Sequence, residues 1–119
     1  MTQENGILEL LETGMRAESM RQKAIAGNLA NMNTPGYRRV DLNFEEVLEQ
    51  AIDKQNHVDP DKLKMEYFQP MNTPVNANDN DVSLDTEVGE MVKNSLRHRT
   101  YMLLLRKKYE QMDLALKAP

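Results

Sequence analysis

From Leu84 to Leu116 the positions Leu84, Val88, Met91, Ser95, His98, Met102, Leu105, Tyr109, Met112 and Leu116 follow one another at steps of four and three, and only Ser95 and His98 among them are not apolar. That spacing is a heptad seam, so the C-terminal third predicts one long helix with a stripe that needs a helical partner. Ser83 is placed to cap its start, and Asp85 and Glu87 suit the positive end of the helix dipole. A chain of 119 residues with 39% hydrophobic residues, 5% aromatics and a mean hydropathy of -0.70 has a thin core of its own. The apolar stripe therefore predicts contacts that neighbouring chains complete.

A second helical pattern precedes it. Ile7, Leu8, Leu11, Met15, Ile25, Leu29 and Met32 share a face when wound at 100° per residue, with Glu18 and Gln22 interrupting it. Ala17, Met20 and Ala24 form a small-residue strip beside that face, which predicts contact on two sides. Thr34-Pro35-Gly36-Tyr37 ends the helix: Pro35 cannot donate to the helical ladder and biases Thr34 to extended backbone, while Gly36 accepts positive φ. Pro then Gly at the central positions predicts a type II turn, with Asn31 and Asn33 at the fraying end.

Asn43 and Glu46 read as a capping box opening a short helix with Phe44, Val47, Leu48, Ala51 and Ile52 inward, ending near Lys54. Leu63, Met65 and Tyr67 alternate with Lys64 and Glu66, a weak strand signal. The rest, to Asp81, carries Pro60, Pro70, Pro74 and many Asn and Asp residues and reads as extended loop, disordered in an isolated chain. The fold expected is mainly α: one domain over 1–119, with a helix over 7–33, an irregular middle over 34–83 and a helix over 84–117, the terminal helices pairing as an antiparallel, coiled-coil-like hairpin.

Function classes narrow by what is missing. There is no Cys, hence no disulfide, zinc-thiolate site or thiol nucleophile. Net charge -4 argues against a dedicated nucleic-acid binder. No apolar run approaches the length of a membrane span, and the N-terminus lacks the blocks of a cleaved secretory signal. The acidic run Asp79–Glu90 offers oxygen donors at calcium-loop spacing, but Leu84 stands where that loop needs Gly, so a polar linker and capped helix start is the better reading. His57 and His98 have no partners at metal or base spacing. No nucleophile, phosphate-cradling Gly loop or paired carboxylates appear, so the chain is not read as an enzyme. Arg97, Arg99, Arg106, Lys107 and Lys108 are read first as a solvated helix face complementing the dipole, ahead of a nucleic-acid or anionic-lipid patch. A small helical DNA-binding or regulatory module, or a metal-binding helical protein, stays open as the alternative.

Ala30-Asn31-Met32-Asn33-Thr34-Pro35-Gly36-Tyr37, with Ala26–Leu29 before it and Arg38–Phe44 after it, closely resembles the N-terminal signature of bacterial flagellar axial proteins. Asn78–Val88 and Lys93–Tyr109 resemble the same group, so the likeness covers about two thirds of the chain. Tyr101–Tyr109 departs from the FlgC type and looks like the FlgB type of proximal-rod protein. The resemblance implies a structural subunit of the flagellar basal-body rod, exported through the flagellar type III apparatus without a cleaved signal peptide, assembling helically and transmitting torque in motility. It implies copies of itself, FlgC-type rod proteins, the rod adaptor FliE and the membrane ring as partners, with no cofactor, nucleic acid or small-molecule substrate. Asn31, Thr34, Pro35, Gly36 and Tyr37 are then the signature turn. Leu8, Leu11, Met15, Ile25, Leu29, Leu84, Val88, Met91, Met102, Leu105, Tyr109 and Met112 are the expected assembly seam.

Overall fold

The computed structural model describes residues 2–52, 58–59 and 62–118. Its elements run α1 (Thr2–Ala30), β1 (Asp41–Leu42), α2 (Phe44–Ala51), β2 (Tyr67–Phe68) and α3 (Leu84–Lys117). At 1.5 Å rise per residue, the 29 residues of α1 span about 43 Å and the 34 of α3 about 51 Å. Packed side by side, they make a molecule of 68 × 27 × 15 Å.

The two long helices pack antiparallel, as the expected hairpin. Asn28 near the end of α1 reaches Glu87 in the first turn of α3, Glu18 reaches Asn94 and Arg97, and Glu12 meets Tyr109. What the sequence pattern does not anticipate is the chemistry of this contact. α1 turns Leu11, Gly14, Glu18, Arg21, Ile25 and Asn28 inward, while α3 buries Glu87, Asn94 and Leu105. Glu18, an interruption in the apolar pattern of α1, and Glu87, a first-turn acid of α3, are 1% and 0% exposed.

On its other side α1 meets β1, as the Ala17–Met20–Ala24 strip predicts. Ala17 is fully buried against Leu42 and Phe44, with Met20, Leu48 and Met65 around them. A second small cluster joins Val47, Ala51 and Leu63. Leu63 and Met65 thus do pack inward, but regular pairing is confined to Asp41 opposite Phe68 and Leu42 opposite Tyr67. The Tyr67 hydroxyl donates to the Met20 carbonyl at 3.2 Å and ties β2 to α1.

α2 begins at Phe44 as expected, yet Asn43 does not cap it through its side chain. Its Oδ1 instead accepts from the Glu66 N–H at 2.7 Å, and its own N–H donates to the Glu66 carbonyl at 3.2 Å. The side chain is drawn to the neighbouring segment because that segment presents an otherwise free N–H, which competes with the helix end for the same oxygen. α2 stops at Ala51, where Ile52 takes extended backbone, short of the Lys54 expected. Lys54, His57, Pro60 and Asp61 lie outside the described residues.

Candidate assembly interface

The turn after α1 forms as its sequence dictates. Gly36 has φ +77°, and the Tyr37 N–H donates to the Thr34 carbonyl at 3.3 Å, which together describe the type II turn. Asn31 holds the frayed end: its Nδ2 donates to the Gly27 carbonyl at 2.8 Å, and its Oδ1 accepts from the Thr34 hydroxyl at 3.1 Å. Thr34, Pro35 and Gly36 are themselves exposed, and Tyr37 is half-buried.

The turn is fixed by a loop that the sequence reads as structureless. The Gly36 N–H donates to the Asn78 carbonyl at 3.0 Å. Asn80, 1% exposed, gives its Nδ2 to the carbonyls of Asn31 and Thr34 at 2.9 and 2.8 Å, while its Oδ1 accepts from the Val82 N–H. Asn76 Oδ1 accepts from the N–H groups of Asn78 and Asn80, which closes the loop on itself and places Asp79 at φ +57°. Asn and Asp tolerate such a conformation better than other side chains, so the Asn- and Asp-rich composition has a structural use.

Below the turn sits a buried polar hub around Asn28, which is 0% exposed. Its Nδ2 donates to the Val40 carbonyl at 2.9 Å and to Glu87 Oε2 at 3.1 Å; its Oδ1 accepts from the Val40 N–H at 2.8 Å and the Tyr37 hydroxyl at 3.1 Å. Every hydrogen-bonding position of the amide is used, which is what makes its burial tolerable. Glu87 Oε1 in turn takes Arg39 Nε at 2.8 Å, and the Arg39 N–H reaches Asp81 Oδ1 at 2.6 Å. Burial opposes charge on Arg39, but the Glu87 hydrogen bond and the surrounding carboxylates outweigh it and raise its pKa. Burial, then Glu87 and Asp81, push the Tyr37 phenol up.

A second polar cluster lies midway along the hairpin. Glu18 Oε1 accepts from Arg97 Nε at 2.8 Å and from Arg21 at 3.4 Å, and Oε2 accepts from Asn94 Nδ2 at 2.9 Å. Arg21 also grips Glu45 of α2. Burial works against the Arg21 charge, yet Glu45 and Glu18 raise its pKa overall; for Glu45 the burial effect is overcome by Arg21, and its pKa falls. Beside this cluster the Tyr101 ring packs against Gly14, where an added Cβ would stand 2.4 Å from Tyr101 Cε1.

With the hairpin sealed by polar groups, most of the expected seam on α3 is left outside. Leu105 is buried, but Leu84, Val88, Met91, Met102, Tyr109 and Met112 are 41–52% exposed. On α1, Leu11 and Ile25 are buried and Leu8, Met15 and Leu29 half-buried. Val92, Leu96, Leu103, Leu104 and Leu114 add exposed apolar surface on further sides of α3. The signal for the true inward face was present one position before the apolar stripe, where Glu87, Glu90, Asn94, Arg97 and Tyr101 also step by three and four.

His98 and the basic residues Arg99, Arg106, Lys107 and Lys108 face outward or border the interhelical grooves. Among the described residues no three His, Cys, Asp or Glu side chains converge as metal ligands, and no helix is long and apolar enough to cross a membrane. In the acidic run Asp81 and Glu87 are committed to Arg39 and Asn28.

A family model described as "Flagella basal body rod protein" matches residues 8–38, which is α1 from Leu8 onward together with the signature turn and Tyr37. The flagellar basal body rod protein FlgB of Aquifex aeolicus is 35% identical over 86 residues, covering 69% of each chain. This chain belongs to the FlgB family. FlgB of Bacillus subtilis is 24% identical over 121 residues, 94% of each chain, and FlgB of Buchnera aphidicola 26% identical over 127 residues, 95% of this chain and 96% of that one. Likeness to FlgB proteins therefore extends over nearly the whole hairpin and its middle, and makes the chain a structural subunit of the flagellar basal-body rod.

Proposed function

We propose that this chain is a proximal-rod subunit that stacks helically through its terminal helices and passes torque along the rod. The observation that carries the reading is the α3 stripe of Leu84, Val88, Met91, Met102, Tyr109 and Met112, exposed on a hairpin whose own contact is already closed. Apolar surface on this scale is covered by association. The Glu18 and Glu87 clusters lock α1 against α3 in one register, and a subunit that carries twist needs such a fixed body. Copies of itself, FlgC-type rod subunits, the adaptor FliE and the membrane ring are its partners, reached by export through the flagellar type III apparatus. The chain acts by assembly and has no catalytic role.

The test is Met102→Asp and Val88→Asp, each of which puts a charge on the stripe at a cost of about 2–4 kcal/mol if that surface becomes dry. Both proteins should be made in cells while motility is lost and basal bodies lack a complete rod. Normal swimming of both variants rejects the stripe as the assembly surface. Leu105→Asp is not equivalent, because Leu105 is buried in the hairpin and its loss opens the hairpin itself.

A further inference from the structure

The side of α3 that points away from α1 carries an apolar ridge between cations. Wound at 100° per residue, Val92, Leu96 and Leu103 fall opposite Asn94, Tyr101 and Leu105, the residues that turn toward α1. The three are 54–58% exposed, more than most of the Leu84–Met112 stripe, which lies on a different side of the helix. Arg99 and Arg106 stand along one edge of the ridge, and Lys107 stands along the other with Thr100. All four are exposed.

From Val92 to Lys107 the charge of this face is of one sign. Met91–Tyr109 holds six of the chain's 15 Lys and Arg residues and none of its 19 Asp and Glu residues, although the chain as a whole is acidic. Lys93 is paired with Glu90 and Arg97 with Glu18. That leaves Arg99, Arg106 and Lys107 around the ridge with no carboxylate partner among the described residues. Glu110, one turn beyond Arg106 on the same side, closes the strip at its C-terminal end, whereas Glu90 lies on the side turned toward α1. A face kept merely for solvation needs neither the apolar ridge nor the exclusion of carboxylates from it.

We propose that the free chain docks this face of α3 on an anionic lipid surface, lying along it without crossing it. Val92–Lys107 extends over about 22 Å of helix, on the convex side of α3 turned away from α1. A bilayer surface yields to a convex apolar ridge, taking its side-chain tips at the boundary between headgroups and acyl chains. Long cationic side chains on both edges then reach back to the lipid phosphates while their aliphatic stems stay against the apolar layer. A protein partner would have to supply a concave, acidic trough instead. The inference goes beyond the rod reading and uses other residues, since the Leu84–Met112 stripe remains free when this face is down.

Co-sedimentation of the purified full-length chain with vesicles tests it. The chain should pellet with phosphatidylcholine vesicles containing phosphatidylglycerol, less so as ionic strength rises, and should stay in solution with pure phosphatidylcholine. Arg99→Gln/Arg106→Gln/Lys107→Gln should weaken partition by about a hundredfold, at about fivefold for each cation removed. Leu96→Ser/Leu103→Ser should weaken it at every ionic strength, whereas Leu84→Ser/Met112→Ser should leave it unchanged. All of these positions are exposed, and circular dichroism should show helix content retained. Failure of the unmodified chain to pellet with the anionic vesicles overturns the proposal, as does an equal loss in the Leu84/Met112 variant. Binding of an acidic amphipathic peptide through Arg99 and Arg106 with no vesicle binding also overturns it, in favour of a protein partner. None of these results bears on rod membership, which the motility of Met102→Asp and Val88→Asp tests separately.

Discussion

Asn28 Nδ2 lies 3.1 Å from Glu87 Oε2, and through that bond the last turns of α1 are tied to the first turn of α3, 59 residues later. Both side chains are fully buried, and the signature turn hangs on the same amide through Tyr37. One residue thus sets the register of the hairpin and the position of the turn together.

Asn28→Ala is expected to destabilise the chain by more than an ordinary surface change, because the Val40 N–H and carbonyl lose their partner and Glu87 keeps only Arg39. Each buried polar group left unpaired costs about 1–3 kcal/mol. Urea denaturation followed by circular dichroism measures it. Asn28→Asp is expected to be no milder, since it sets a carboxylate facing Glu87; a shift within error for both variants would remove the hub from the account.

Gly14→Ala has two opposed effects. Alanine improves helix propensity by about 1 kcal/mol, but its Cβ would overlap the Tyr101 ring, and such overpacking costs about 1–3 kcal/mol. The single variant should therefore be less stable, and the sign should reverse when Gly14→Ala is made on a Tyr101→Ala background. Equal effects on both backgrounds would show that the ring does not rest on Gly14.

The Tyr37 phenol provides a pH test. Its pKa is raised by burial first and by Glu87 and Asp81 next, so the folded state favours the protonated phenol. Its contribution to stability is complete below about pH 10, the ordinary tyrosine value, and is lost as pH rises through the higher folded pKa. Thermal melts across that range should show an alkaline decline that Tyr37→Phe reduces in size. Some decline should remain in that variant, since burial likewise raises Tyr101.

Gly36→Val should cost about 1–3 kcal/mol through backbone strain alone, since φ is +77° and an added Cβ would meet no atom within 4 Å. Asparagine tolerates this region better, so Gly36→Asn should be milder, and Pro35→Ala milder still. Ranking the three by denaturation midpoint checks the assignment. Equal stability of Gly36→Val and the unmodified chain would mean that the turn adopts another conformation.

The sequence by itself determined the parts whose cause is local. Apolar spacing made α1 and α3 helices; Pro35 and Gly36 decided where α1 stops and in which turn; Ser83 capped α3, its hydroxyl accepting from the Thr86 N–H at 3.4 Å. The Ala17 strip gave away the second contact of α1. Only the tertiary structure decided which face of each helix turns inward. Periodicity marks where apolar residues lie, and an apolar stripe faces outward as readily as inward when the partner it awaits is another chain. The buried face is held instead by Glu18, Asn28, Glu87 and Asn94, whose burial is acceptable only because each finds a partner tens of residues away. The same holds for Asn80 and the loop from Asn76: its residues read as solvated until Asn31, Thr34 and Gly36 are brought beside them, because a side-chain amide shows no preference for backbone groups that the sequence does not place next to it.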